Sequence, residues 1–232
     1  ANLLFATPSD LFLPCGGRPE TIDGSNWRKF FDAAGQASAR VIVEGANSFI
    51  TPEARAEVQK RGVILLRDAS ANKCGVISSS YEIIANLLMN KKEFLKNKEA
   101  YVADVLAILE KRSEDEANLI FKRHQEQAGA RLYTEISNEL STEINEHYAR
   151  LFDFFQARPD LVDQPLYRKV LLSHLPAFIR GRGKYRARVD GLPQKIKCAI
   201  LACEIATLIV YRGGWDSDLE GRLKGYLRPA FG

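Results

Sequence analysis

Paired cysteine spacings are missing from this 232-residue chain, and so is any long unbroken apolar run. Its four cysteines, Cys15, Cys74, Cys198 and Cys203, form no C-x-x-C pair, which excludes a zinc ribbon or knuckle built on that spacing. Cys198 and Cys203 sit in an apolar stretch and read as buried helix residues. All four are expected to be reduced thiols, as in a cytoplasmic compartment. The longest apolar stretch, 198–210, is too short to span a bilayer and contains Glu204, so no membrane insertion is expected. The opening ANLLFATPSDLF lacks a basic region ahead of its apolar part, unlike a secretory signal. His124, His147 and His174 form no H-E-x-x-H and read as surface or packing residues rather than metal ligands. Net charge +4 and pI near 8.8 do not amount to the concentrated basic face that nucleic-acid binding requires, so no nucleic-acid partner is expected. No internal repeat or low-complexity tract is present. Also absent is a G-x-G-x-x-G or G-x-G-x-x-A followed, roughly twenty positions on, by an acidic residue.

What is there divides into two textures. Up to about residue 80, short apolar runs alternate with turns and short helices. Leu11-Phe12-Leu13, Val41-Ile42-Val43 and Val63-Ile64-Leu65-Leu66 are brief, partly β-branched and bounded by Pro, Gly or Asp, as buried strands are. Helices are predicted between them at 26–37 and 52–60. The second has Thr51 as N-cap and Pro52 at its first position. Strand, helix, strand, helix, strand implies a parallel sheet.

From about residue 76 the pattern is helical. Ser113-Glu114-Asp115-Glu116 has the form of a capping box. Leu132, Ile136, Leu140, Ile144, Tyr148, Leu151, Phe152 and Phe155 recur every three or four residues, one apolar stripe on a long helix. Arg158-Pro159 and Gln164-Pro165 mark boundaries. A shorter helix follows, then a loop containing the basic run Arg180 to Arg188, then a helix over 193–211. That last helix is apolar all round and is therefore expected to be central. Glu204 within it is expected to pair with a buried Arg or Lys, or to face a cleft. Trp27 and Trp215 read as packing anchors. The basic run reads as a solvated loop, with an oxyanion site as the alternative.

The informative stretch runs from Asp10 to Glu82. Each predicted strand ends in small and polar residues: Pro14-Cys15-Gly16-Gly17-Arg18-Pro19, Glu44-Gly45-Ala46-Asn47-Ser48, and Asp68-Ala69-Ser70-Ala71-Asn72-Lys73-Cys74-Gly75-Val76. In open parallel sheets that edge is where ligands bind. Glycine permits close backbone approach, and an asparagine amide both donates and accepts. Taken singly, each motif better suits a structural role: a tight connection, a turn at Asn47-Ser48 or a helix cap at Ser78-Ser79-Ser80. Three such ends in succession favour a ligand-binding edge.

The order LFLPCGG, VIVEGANSFITPEA, RDASANKCGVISSSYE resembles the second half of the dinucleotide-binding domain of glutamate dehydrogenases. Glu44-Gly45-Ala46-Asn47 and Thr51-Pro52-Glu53-Ala54 match the family's E-G-A-N and T-P-E-A without a gap. Asn72, Gly75, Val76 and Ser79 match its N-A-G-G-V-x-x-S segment. Cys74 and Lys73 depart from that segment, and with PCGGRP they resemble the large-subunit, NAD-specific branch. The resemblance implies an α/β fold: a partial Rossmann-like parallel sheet over 1–90, followed by an all-α helical domain over 91–232. It implies NAD as cofactor and L-glutamate and 2-oxoglutarate as substrates. Cys15 and Gly16 would lie near the adenosine ribose and Asn47 near the ribose or nicotinamide. Asn72 would hold the nicotinamide region. Val76 would pack beside the substrate, and Ser79 would bond its γ-carboxylate, aided by N–H groups at a helix start.

The same resemblance places the catalytic lysine, the catalytic aspartate and the carboxylate-clamping lysines ahead of residue 1. No catalytic residue is thus expected within this chain, which reads as a carboxy-terminal piece that is inactive alone. Half a sheet leaves an edge to cover, so self-association as a homo-oligomer is expected. Two alternatives stay open: a non-catalytic helical interaction or regulatory module, and a dehydrogenase for leucine or phenylalanine.

Overall fold

The computed structural model describes residues 3–215, 218, 219 and 221–231. After helix α1 (Leu3–Ala6) come strands β1 (Ser9–Phe12) and β2 (Ala39–Val43), helix α2 (Pro52–Gln59), strand β3 (Ile64–Leu66), and helices α3 (Asp68–Ala71) and α4 (Lys73–Leu88). Then follow α5 (Lys91–Glu126), α6 (Tyr133–Ala157), α7 (Pro159–Val162), α8 (Pro165–His174), α9 (Ala177–Arg180), α10 (Gly183–Asp190), α11 (Gln194–Arg212) and α12 (Leu223–Phe231). The three strands form one parallel sheet in the order β1-β2-β3. A parallel sheet followed by helices is what the strand and stripe patterns predict, and a partial Rossmann-like sheet is what the resemblance implies.

Two compact units emerge. One comprises residues 1–77 and 112–139, the other 78–111 and 140–232. In the first, Ile42 and Leu65 of the sheet pack with Ala54 and Val58 of α2 and with Ile22, Trp27, Phe30, Phe49, Ile50 and Val63. Thr51 caps α2, its hydroxyl accepting the Ala54 N–H at 3.3 Å, with Pro52 in the first turn, a cap worth about 1 kcal/mol. Trp27 is 2 % exposed and lies under the guanidinium groups of Arg28 and Arg61, a packing anchor as expected. Residues 112–139 join this unit by side-chain bonds. Gln59 Nε2 donates to the Thr134 hydroxyl at 2.9 Å, and Ser70 meets Ser137 at 2.5 Å.

In the second unit α11 is central. Cys198, Leu201, Ala202, Ile205, Ala206 and Ile209 are buried, and the helix packs on α7 and α8. The α6 stripe is buried at Leu140, Leu151 and Phe155. Boundaries fall at Pro159 and Pro165, as the sequence predicts.

Three expectations are corrected. Residues 26–37 form only a 3₁₀ turn, Trp27–Phe30. Asp32 ends it by accepting the N–H groups of Ala34 and Gln36 at a turn where Gly35 takes φ +79°. Ser113 to Glu116 lie inside α5, where nothing needs capping. The reciprocal box is Asn90 to Glu93: the Asn90 side chain accepts the Glu93 N–H at 2.9 Å and the Glu93 carboxylate accepts the Asn90 N–H at 3.1 Å. The basic run is no loop beyond Gly183 but helix α10, with Tyr185 and Val189 buried four residues apart. Glu204 of α11 meets His174 at 3.0 Å. His174 itself is buried and stacks on Tyr81.

Candidate functional site

All three strands run parallel, so their carboxyl ends share one edge. The loops leaving β1 and β2 are tied by the Ala46 N–H, which donates to the Pro14 carbonyl at 2.7 Å. The Glu44 N–H donates to the Leu66 carbonyl at 3.0 Å. Gly45 lets the first two loops close. A Cβ there would lie 3.2 Å from Cys15 Sγ and 3.4 Å from the Pro14 carbonyl oxygen. Around Gly16 a Cβ would meet nothing within 4 Å. Cys15 and Gly16 are both exposed, so backbone at this turn is open to a flat ligand.

Asn47 and Asn72 come together. Asn47 follows β2 and is exposed; Asn72 is the half-buried residue between α3 and α4. The Asn72 amide nitrogen donates to Asn47 Oδ1 and, at 3.4 Å, to the Gly45 carbonyl. That pairing leaves the Asn47 N–H donors and the Asn72 carbonyl acceptor for a ligand group that both accepts and donates, such as a ribose hydroxyl or a carboxamide.

Beneath them lies an ionic triad that the sequence reading missed. Arg55, on the buried side of α2, donates to both oxygens of Glu44, Nε to Oε2 at 2.7 Å and Nη2 to Oε1 at 3.1 Å. Its Nη2 also lies 3.2 Å from Asp68 Oδ1. Glu44 is fully buried and accepts the Ile50 N–H at 3.0 Å. Burial pushes the Glu44 carboxyl above the usual range despite the pull of Arg55. At Asp68 burial pushes the same way, but the Ser48 N–H and the Arg55 charge outweigh it and hold the carboxyl below its ordinary value. One signal was available: Arg55 sits between Ala54 and Val58 on the face of α2 that must be buried.

Val76 and Ser79 stand three residues apart in α4, and both are exposed, Val76 at 74 %. The expected helix-start N–H groups beside Ser79 are not there. Helix α4 begins at Lys73, so Ser79 lies past the first turn, where N–H groups belong to the helix's own ladder. The hydroxyl is what Ser79 can offer. Lys73 instead pairs with Glu116. Among the described residues, no cluster of three His, Cys, Asp or Glu side chains could hold a metal ion, and no helix is long and apolar enough to cross a membrane.

Residues 1–137 match the family model described as Glutamate/Leucine/Phenylalanine/Valine dehydrogenase. Over 221 residues, 90 % of the chain and 21 % of the relative, it is 34 % identical to "Glutamate dehydrogenase 2" of Dictyostelium discoideum. Identity is 33 % over 221 residues, 90 % of the chain and 20 % of the relative, to "Probable NAD-specific glutamate dehydrogenase" of Schizosaccharomyces pombe. It is 32 % over 231 residues, 93 % of the chain and 21 % of the relative, to "NAD-specific glutamate dehydrogenase" of Saccharomyces cerevisiae. The chain thus spans about a fifth of the length of these curated relatives. No solved structure gives a significant match.

Proposed function

The chain belongs to the glutamate/leucine/phenylalanine/valine dehydrogenase family, and on that footing we propose that it supplies the cofactor side of an NAD-dependent glutamate dehydrogenase. The reaction is oxidative deamination of L-glutamate to 2-oxoglutarate and ammonia. The observation that carries this reading is the Asn47–Asn72 amide pair on the carboxyl edge of a parallel sheet, in a chain whose relatives are named NAD-specific glutamate dehydrogenases.

The residues fit such a ligand. The open backbone at Cys15 and Gly16 suits the adenosine ribose, and the remaining amide donors and acceptor of Asn47 and Asn72 suit the nicotinamide side. When bound, the dinucleotide supplies the hydride acceptor for the glutamate Cα–H, and water hydrolyses the imine left on the substrate. Asn47 and Asn72 orient; they move no proton. Exposed Val76 offers an apolar wall to the substrate side chain, and Ser79 offers a hydroxyl to its γ-carboxylate. The proton-transfer groups are assigned to the remainder of the full-length enzyme, so the 232-residue chain alone is inactive.

The test is NAD⁺ titration and steady-state assay of the full-length protein, with glutamate, leucine and phenylalanine offered in turn. Glutamate turnover, with cofactor affinity lowered by Asn47→Ala, is the expected result. Preference for leucine would overturn the substrate assignment. Glutamate turnover by the 232-residue chain itself would overturn its inactivity. Unchanged cofactor affinity in Asn47→Ala would remove the site.

A further inference from the structure

Asp68 joins the two asparagines through both its side chain and its main chain. Its Oδ2 accepts the Ser48 N–H at 2.8 Å, fixing the peptide that directly follows Asn47. Its own carbonyl accepts the Asn72 N–H at 2.9 Å, fixing the backbone of the second asparagine. Oδ1 accepts the Ala69 N–H at 2.8 Å and Arg67 Nε at 3.2 Å, which locks the carboxylate against the start of α3.

The arrangement needs such a tie. Ser48 has φ +54°, a left-handed conformation that a residue with a Cβ adopts at a cost. It is held there from two sides, its N–H by Asp68 and its carbonyl by the Glu20 N–H at 2.7 Å. Asp68 in turn is held by Arg55, whose guanidinium is anchored by the fully buried Glu44. Glu44 also accepts from the Ile50 N–H at 3.0 Å, so the same ionic set grips the far side of the 45–49 turn.

We propose that Asp68, backed by Arg55 and Glu44, is a positioning residue that sets the separation of the Asn47 and Asn72 amides and thereby the affinity for the dinucleotide. The inference rests on the cofactor reading of those amides given above. The Asp68 carboxylate is taken up by the Ser48 and Ala69 N–H groups and by Arg67 and Arg55. Asp68 acts through Ser48 and Asn72, as the shell beneath a binding group does when that shell decides whether the group is presented or loose. Two carboxylates share one guanidinium here, so the set is also sensitive to loss of any member.

Two measurements test this. In the full-length enzyme, Asp68→Ala is expected to raise the NAD⁺ dissociation constant about tenfold, the lower end of what a supporting-shell deletion does. Turnover at saturating cofactor should stay within about threefold, because uniform binding is what is lost. Asp68→Asn retains an oxygen for the Ser48 N–H and should recover part of the affinity, which also guards against a variant that does not fold. Asp68→Ala removes the Ser48 tie and keeps the main-chain bond to Asn72, so a double variant with Asn47→Ala should lose less than the sum of the two single losses. In the 232-residue chain itself, heteronuclear NMR should show the Asn72 side-chain amide and the Ser48 backbone amide shifted in Asp68→Ala, with distant core resonances unmoved.

The outcomes separate the two ideas. If Asn47→Ala weakens NAD⁺ binding and Asp68→Ala does not, the positioning role is wrong and the cofactor site stands. If the Asn72 and Ser48 resonances are unaltered in Asp68→Ala, the positioning role is likewise wrong. If Asn47→Ala leaves binding untouched while those resonances move, the cofactor reading fails and takes with it the claimed effect on affinity.

Discussion

The Tyr101 hydroxyl donates to the Tyr81 main-chain carbonyl at 2.7 Å, within the unit built around α11. Both rings are buried. Burial pushes the Tyr101 phenol well above its ordinary range, with Tyr81 adding a smaller push. The folded state thus keeps a proton that the unfolded chain gives up near pH 10. The corresponding stability is complete below that pH and drains away as pH climbs further. Tyr101→Phe is expected to cost about 1 kcal/mol at neutral pH, the usual net worth of such a bond. It should also flatten the alkaline fall in stability. Urea unfolding at pH 7 and above pH 10 checks both; an unchanged alkaline slope would contradict the account.

Glu93 contributes to the acid side. Arg188 grips its carboxylate with two nitrogens, at 2.7 and 3.0 Å, and Lys184 pairs with it too. Arg188 first and Lys184 second draw the carboxyl down to about 2. A depressed carboxyl contributes stability above its unfolded value and loses it as pH falls toward the folded one. The loss therefore lies between about pH 4.5 and pH 2. Glu93→Gln should remove that part of the acid transition while leaving the Asn90 cap oxygen in place. Circular dichroism followed through acid titration of both proteins reads the difference.

Gly45 and Cys15 should behave as a coupled pair. A methyl at Gly45 meets Cys15 Sγ at 3.2 Å and the Pro14 carbonyl at 3.4 Å, and that carbonyl cannot retreat without stretching its 2.7 Å bond from the Ala46 N–H. Gly45→Ala is expected to cost about 1–3 kcal/mol by overpacking. Cys15→Ala removes the nearer atom, so the double variant should recover part of the loss. Strict additivity in thermal melts would show that the two loops do not press on each other.

These contacts mark where the sequence could be read and where it could not. Strands at 41–43 and 63–66 were visible because β-branched apolar runs bounded by Pro, Gly or Asp permit little else. The α6 stripe was visible because one face repeats over twenty-odd residues. Asn47 and Asn72 stood out as polar residues just past strand ends, and they do meet. The Asn90–Glu93 cap was overlooked because Lys91 and Lys92 gave no apolar run to announce a helix. The S-x-x-E at 113–116 imitates a cap, yet the flanking helix-forming residues simply continue α5. Gly181 and Gly183 suggested a loop, but burial of Tyr185 and Val189 outweighs them. The Asp68–Ser48 bond joins residues twenty apart, and no local rule announces it.

Strand β1 leads to the last expectation. Among the described residues it pairs on one side only, with β2. Leu11 is 47 % exposed and the following Leu13 is 51 % exposed. An edge strand with unpaired peptide groups and outward leucines invites a second copy to add to the sheet. The 26.0 kDa chain should therefore self-associate as its concentration rises. Lysine at an edge position is a device by which sheets avoid such pairing, so Leu11→Lys should shift the equilibrium toward monomer with little change in melting temperature, because the side chain is already half in water. Sedimentation velocity across a concentration series decides it: a monomer at every concentration would mean that this edge attracts nothing, and association unchanged by Leu11→Lys would locate the contact elsewhere.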